Sequence, residues 1–227
     1  MTAMNSAEKP VIESGIGQRR ALARGRRNAG YEDRRQEILV AAATVFRRHG
    51  FRGTTLAQVA ETLGTDRASL YYYFSSKDEL FDNLVTDLVK ANLAEAERIR
   101  DSARSPREKI RELIVGLVES YGENYPLLFL YLQENMGQVA PQRKTWATKM
   151  RQVNRRYEKA VTDIIAEGID DGTFRAVGEP WVLAYGVMGM VSWTHRWFNP
   201  NTSTVDARAI GESYADVIIS GLCHAES

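Results

Sequence analysis

Residues 54–80 read TTLAQVAETLGTDRASLYYYFSSKDEL. Thr55 and Gln58 have capping-box spacing, in which the two side chains satisfy each other's free amides at a helix start. Leu56, Val59, Ala60 and Leu63 then share one helical face. Gly64 supplies the backbone freedom for a tight turn. Asp66 follows as N-cap of a second short helix, whose inward residues are Leu70 and Phe74. Ser76 and Glu79 have box spacing again and open a third helical run. Two short helices across a glycine turn make a helix-turn-helix, the unit that lays its second helix in a DNA major groove.

The chemistry of that second helix fits the task. Arg67, Ala68, Tyr71 and Tyr72 lie opposite Leu70 and Phe74. An arginine pairs bidentately with guanine, and a small alanine lets the backbone approach and offers a methyl to thymine. The tyrosines offer rings to thymine methyls and hydroxyls to phosphates. Three consecutive tyrosines point in three directions around a helix, so they cannot all be core. Tyr73 is left with two placements, on the DNA backbone or packed inward. Thr54, Thr55 and Lys77 stand at helix starts, where free amides attract phosphate.

Upstream, Ile38, Leu39, Ala42, Val45 and Phe46 form a stripe on a helix expected from Glu32 to Gly50. Residues 1–27 carry little apolar periodicity and are expected as a basic, disordered arm. Its cluster of Arg19, Arg20, Arg24, Arg26 and Arg27 is either a solvated arm or a phosphate or minor-groove contact. Downstream everything reads as helix. A long run carries Leu80, Leu84, Val85, Leu88 and Leu93. Ser105, Pro106 and Glu108 mark a strong helix start. Further helices are expected from Pro126 to about Gly137, from about Gln142 to Asp170, from Glu179 to Phe198 and from Val205 to Leu222. The fold class is all-α with about nine helices: an arm over 1–27, a DNA-binding domain over 28–80, and a ligand-binding and dimerisation domain over 81–227.

Formal net charge is only +1. It is unevenly spread, with Lys and Arg in excess over residues 1–80 and Asp and Glu in excess beyond, as suits a DNA-reading head on a body with another task. The single cysteine, Cys223, allows no disulfide framework and no cysteine-based metal site within one chain. There is no apolar run of about 18 residues to span a membrane, and no apolar signal core at the N-terminus. A cytoplasmic protein is expected. His49, His195 and His224 are too scattered to make a metal ligand set. No nucleophile–base pair, carboxylate dyad or phosphate loop points to an enzyme, and no cofactor is expected.

The segment from Arg34 to Leu80 resembles the N-terminal domain of TetR-family transcriptional regulators. The residues that carry the resemblance are Ile38–Ala43, Phe46, His49-Gly50-Phe51, Thr54-Thr55, Val59-Ala60, Gly64, Ser69 to Phe74 and Lys77 to Leu80. Many members have histidine where Tyr73 stands. The resemblance implies a homodimer on a palindromic double-stranded operator, with repression relieved by a small ligand. It places Ser69 in the DNA-contact set with Thr54, Thr55, Arg67, Ala68, Tyr71, Tyr72, Tyr73 and Lys77. It also puts the ligand pocket and dimer interface in the body. Pocket candidates are Phe129, Leu132, Met136, Met150, Tyr157, Trp181, Tyr185 and Met188, aromatic and thioether side chains that suit an apolar cavity. Interface candidates are Gly189, Trp193 and Trp197, near Gly186 and Ser192, with Ile210, Tyr214, Val217 and Ile218.

The stretch Arg196-Trp197-Phe198-Asn199-Pro200 resembles the eighth-helix ending of TetR-type regulators of steroid and fatty-acid catabolism, several of which respond to acyl-CoA thioesters. Arg196 then either meets a phosphate or carboxylate of the effector or forms a salt bridge at the dimer interface. Met188 and Ser192 depart from relatives that have arginine and tryptophan there. The sequence thus reads as a regulator released from DNA by a small apolar effector of acyl-CoA, fatty-acid or steroid type. An effector-independent architectural or activator protein is the alternative.

Overall fold

Gly50 ends the first helical run because it adopts φ +67°, where a side chain is strained. In the computed structural model, helix α1 (Gly15–Gly53) kinks at that residue. The structure describes residues 15–133 and 141–223, the backbone alone for 15–29. α1 starts well upstream of Glu32, so residues 15–27 are helical rather than an arm. The reason is composition: Ala, Leu and Arg are strong helix formers even where no apolar stripe guides the eye. Residues 1–14 lie outside the described part of the chain, as do the side chains of the arginine cluster.

The remaining head follows its caps. α2 (Leu56–Thr62) begins with the reciprocal Thr55–Gln58 box. Gly64, at φ +64°, turns the chain into α3 (Arg67–Tyr73), whose N-cap is Asp66. Ser76 caps α4 (Lys77–Arg100) as expected. The return bond is displaced by one residue, because the Glu79 carboxylate accepts from the Ser75 amide at 2.8 Å and hydroxyl at 2.7 Å.

The body comprises α5 (Pro106–Glu123), opened by the Ser105–Glu108 box, α6 (Leu127–Gln133), α7 (Lys144–Asp170), α8 (Pro180–Ser192) and α9 (Ala207–Leu222). A 3-10 turn over Pro141–Arg143 leads into α7. α8 is shorter than expected and continues as a 3-10 turn over Trp193–Arg196. Local side chains compete for its carbonyls: Thr194 donates its hydroxyl to the Val191 carbonyl at 2.6 Å, and the His195 ring Nδ1 donates to the Ser192 carbonyl at 2.6 Å. α9 lies close along α5, and a Cβ on Gly211 would meet the Val115 backbone at 2.8 Å.

One apolar core runs from Ile38 and Phe46 in the head through Phe81, Val85 and Leu93 on α4 to Ile114, Val118, Ile164 and Val191 in the body. Among the described residues there are nine α-helices and no strand. No described helix is long and apolar enough to cross a membrane.

Candidate functional site

The outer face of α3 is built by its own cap. The Ser69 amide donates to Asp66 at 2.7 Å and the Ser69 hydroxyl to the same carboxylate at 3.0 Å. Those two bonds hold the Asp66 carboxyl below its usual range. Ser69 is therefore a half-buried partner of the cap. Past it, Arg67 and Tyr71 stand one turn apart on the exposed face. The guanidinium donates to the Tyr71 hydroxyl at 2.8 Å and lies 5.3 Å from its ring centre. Ala68 is exposed beside them, and Tyr72 is the most exposed large apolar side chain among the described residues, at 74%.

Tyr73 takes the inward of its two placements. Its ring stacks on Tyr31 of α1 at 4.9 Å, and Tyr72 packs edge-on against Tyr73 at 5.0 Å. Arg35 of α1 covers Phe74 at 4.8 Å and donates to Asn83 on α4 at 2.5 Å. Tyr31 and Arg35 thus brace α3 from behind. Sequence reading missed both, because neither lies on the apolar stripe of α1.

Two of the expected DNA contacts, Thr54 and Lys77, are engaged within the protein. Thr54 is 1% exposed and donates its hydroxyl to the Gly50 carbonyl at 2.7 Å. The Lys77 ammonium donates to the carbonyls of Phe51 at 2.9 Å and Thr54 at 3.2 Å, and sits 4.7 Å over the Phe51 ring. Both close the α1–α2 break, whose carbonyls have lost their helical partners. Thr55 remains exposed at the start of α2, near the exposed Arg52, which the sequence reading had not singled out.

Head meets body at two consecutive residues of α4. Phe81 packs with Phe46 and Phe51 of α1, at 6.0 and 5.0 Å. Asp82 faces the body instead, where Arg143 binds its carboxylate through Nη2 at 2.6 Å and Nε at 3.1 Å. Trp146 on α7 donates to the Asp82 carbonyl at 3.1 Å and to the Thr86 hydroxyl at 3.0 Å.

The body holds a cavity of about 310 Å³ between α4, α5, α6, α7 and α8. Val89, Leu117, Leu128 and Met188 supply its apolar wall; Tyr121, Tyr131, Tyr157 and Tyr185 supply phenols. Asn92, Asn154 and Glu158 add polar groups that a search for aromatic and thioether residues passes over. The Tyr131 hydroxyl donates to Asn154 at 2.8 Å, and the Tyr185 hydroxyl to Glu158 at 3.0 Å. Burial pushes the Tyr131 phenol up to about 12 and those of Tyr121 and Tyr157 further still, so all three stay protonated.

Of the expected pocket residues, Leu132, Tyr157, Tyr185 and Met188 line this cavity. Phe129 instead sits in an aromatic cluster with Tyr121, Tyr125 and Phe198. Met150 is fully buried, with its sulfur 4.0 Å from the Thr86 hydroxyl. Trp181 is on the surface at 57% exposed. Arg196 is exposed, lies over the Trp193 ring at 5.1 Å, and is not among the residues lining the cavity. Met136 lies outside the described residues. Among interface candidates, Trp193, Trp197 and Val217 are exposed, and Gly189 is exposed at the cavity wall. Tyr214 and Ile218 are half-buried. Ile210 is buried in the core.

Residues 38–84 match the model of bacterial regulatory proteins of the tetR family, and residues 103–222, more than half the chain, match that of the tetracyclin repressor-like C-terminal domain. The chain belongs to the TetR family. Its relatives include the HTH-type transcriptional repressor KstR2 of Mycolicibacterium smegmatis, 28% identical over 85% of this chain and 92% of that one. The solved structure of the ketosteroid transcriptional regulator KstR2 of Mycobacterium tuberculosis superposes with a TM-score of 0.71 at 25% identity, covering 85% of this chain and 96% of the other. The TetR-family regulator PfmR of Thermus thermophilus gives 0.70 at 28%, covering 81% and 97%. As a TetR-family member the chain is a DNA-binding transcriptional regulator rather than an enzyme. In that TetR frame α3 is the second helix of the helix-turn-helix, and the cavity lies in the C-terminal domain.

Proposed function

We propose that this regulator is a repressor that holds a palindromic operator as a homodimer and releases it when a small, mostly apolar effector fills the body cavity. On DNA, Arg67 reads a guanine from the major groove, with Tyr71 holding its guanidinium in place. Ala68 and Tyr72 approach thymine methyls and phosphate. Thr55 and Arg52 contact the backbone. The dimer forms through α8, the 3-10 turn that follows it, and α9, where Trp193, Trp197 and Val217 are exposed at 52–61%. Two exposed tryptophans at that turn, with an exposed valine on α9, favour a partner.

The observation that carries this reading is a chain of contacts from cavity to head. Tyr131 lines the cavity and packs edge-on against Trp146 at 6.3 Å. Trp146 bonds the Asp82 carbonyl, and Phe81 is the next residue, inside the head core. A ligand that displaces Tyr131 or α7 tilts α4 and with it α3. Two α3 helices must sit about 34 Å apart to enter successive major grooves. A complete switch needs about 5.5 kcal/mol of differential affinity between the two spacings.

The relatives' name suggests a compact ring-fused effector, and the cavity volume agrees, lying at the low end for a drug-sized ligand. An acyl chain or steroid fragment fits; the nucleotide of a CoA thioester would stay outside. The test is fluorescence anisotropy of an operator duplex titrated with fused-ring ketones and short acyl thioesters. Release by at least one class is expected. Tight DNA binding unmoved by every member supports the effector-independent alternative.

A further inference from the structure

The cavity is rich in hydrogen-bond donors and poor in charge. Two of its four phenols are committed to Asn154 and Glu158; those of Tyr121 and Tyr157 have no hydrogen-bond partner among the described residues. Both amide side chains are engaged through their oxygens, Asn92 by the Ser120 hydroxyl at 2.8 Å and Asn154 by Tyr131. Each amide nitrogen is thereby left to donate. Among the described residues no Lys, Arg or His lines the cavity, and Glu158 is the single carboxylate. A ligand acceptor in the cavity would pair these open donors, whereas a carboxylate brought in beside Glu158 would meet like charge.

We propose that the cavity selects ligands with an uncharged carbonyl on a compact apolar body, the carbonyl accepting hydrogen bonds from the Tyr121 and Tyr157 hydroxyls, and that Glu158 excludes free carboxylic acids. This rests on the reading of the cavity as the effector site. A ketone and a thioester share the required carbonyl, so the experiment separates them.

Isothermal titration calorimetry on the full chain would compare four molecules built on one decalin skeleton: decalin, trans-1-decalone, decalin-1-carboxylate and the N-acetylcysteamine thioester of that acid. The ketone or the thioester, whichever shape fits, should bind about tenfold tighter than decalin, as one or two net hydrogen bonds give. The carboxylate should bind more weakly than decalin. The double variant Tyr121→Phe/Tyr157→Phe should erase the carbonyl preference while still binding decalin. Glu158→Gln, which keeps an acceptor for Tyr185, should raise carboxylate affinity about fivefold or more.

Carboxylate binding as tight as that of the carbonyl compounds overturns the proposal, as does a carbonyl preference that survives in the double variant. Decalin bound with no gain from a carbonyl sinks this inference and leaves the effector site standing. No binding by any of the four sinks both.

Discussion

Arg143, at the threshold of α7, binds the carboxylate of Asp82 on α4 through two nitrogens, and each side chain is only 12% exposed. The neighbouring Phe81 belongs to the head. This ion pair is thus the polar half of a joint whose apolar half is the Phe46–Phe51–Phe81 cluster. Removing one member of a largely buried pair costs about 3–5 kcal/mol, because a charge stays behind with its solvent already stripped. Arg143→Ala should lower unfolding stability by that order in chemical denaturation. In protein that remains folded, effector should still bind by calorimetry but no longer weaken operator binding.

Arg67 and Tyr71 act as a unit on α3. Arg67→Ala should cost about 1–3 kcal/mol and relax specificity at one base pair per half-site. Tyr71→Phe keeps the ring contact but frees the guanidinium, so it should cost less at the same base pair. A panel of single-base operator variants measured by anisotropy separates the two.

Lys77 gives the opposite signature from a phosphate contact. Lys77→Met removes the charged donor to Phe51 and Thr54 and should destabilise the protein by about 1–3 kcal/mol, the usual worth of hydrogen bonds to a charged group. The slope of log affinity against log salt should stay unchanged. A phosphate contact would lower that slope by about one.

Asp66→Ala removes the α3 cap and should lower the stability of the protein. Because α3 has only two turns, DNA affinity should fall as well, while effector affinity stays as it was. Calorimetry on the same preparation checks both.

Much of the head was legible because its signals are local. The Thr55–Gln58 box, the Gly64 turn and the Asp66 cap each act within a few residues, and each stands as read. Lys77 and Thr54 misled because their partners, Phe51 and Gly50, matter only once α1 has broken. In the body, the early end of α8 depends on Thr194 and His195 bonding back to carbonyls, which hydrophobic periodicity does not report. Phe129, Met150 and Trp181 look alike in sequence as pocket residues. The packing sends them to a core cluster, a joint and the surface. Asn92, Asn154 and Glu158 converge from two helices, a juxtaposition only the folded chain reveals.

The central claim is that two copies of α3 read a symmetric site, and in-vitro selection from random double-stranded DNA with the full chain tests it most directly. The account predicts enrichment of an inverted repeat whose half-site centres lie about 34 Å apart along the duplex, or a multiple of that. Arg67→Ala should blur one position in each half. Enrichment of a single asymmetric site, or of none, would contradict it.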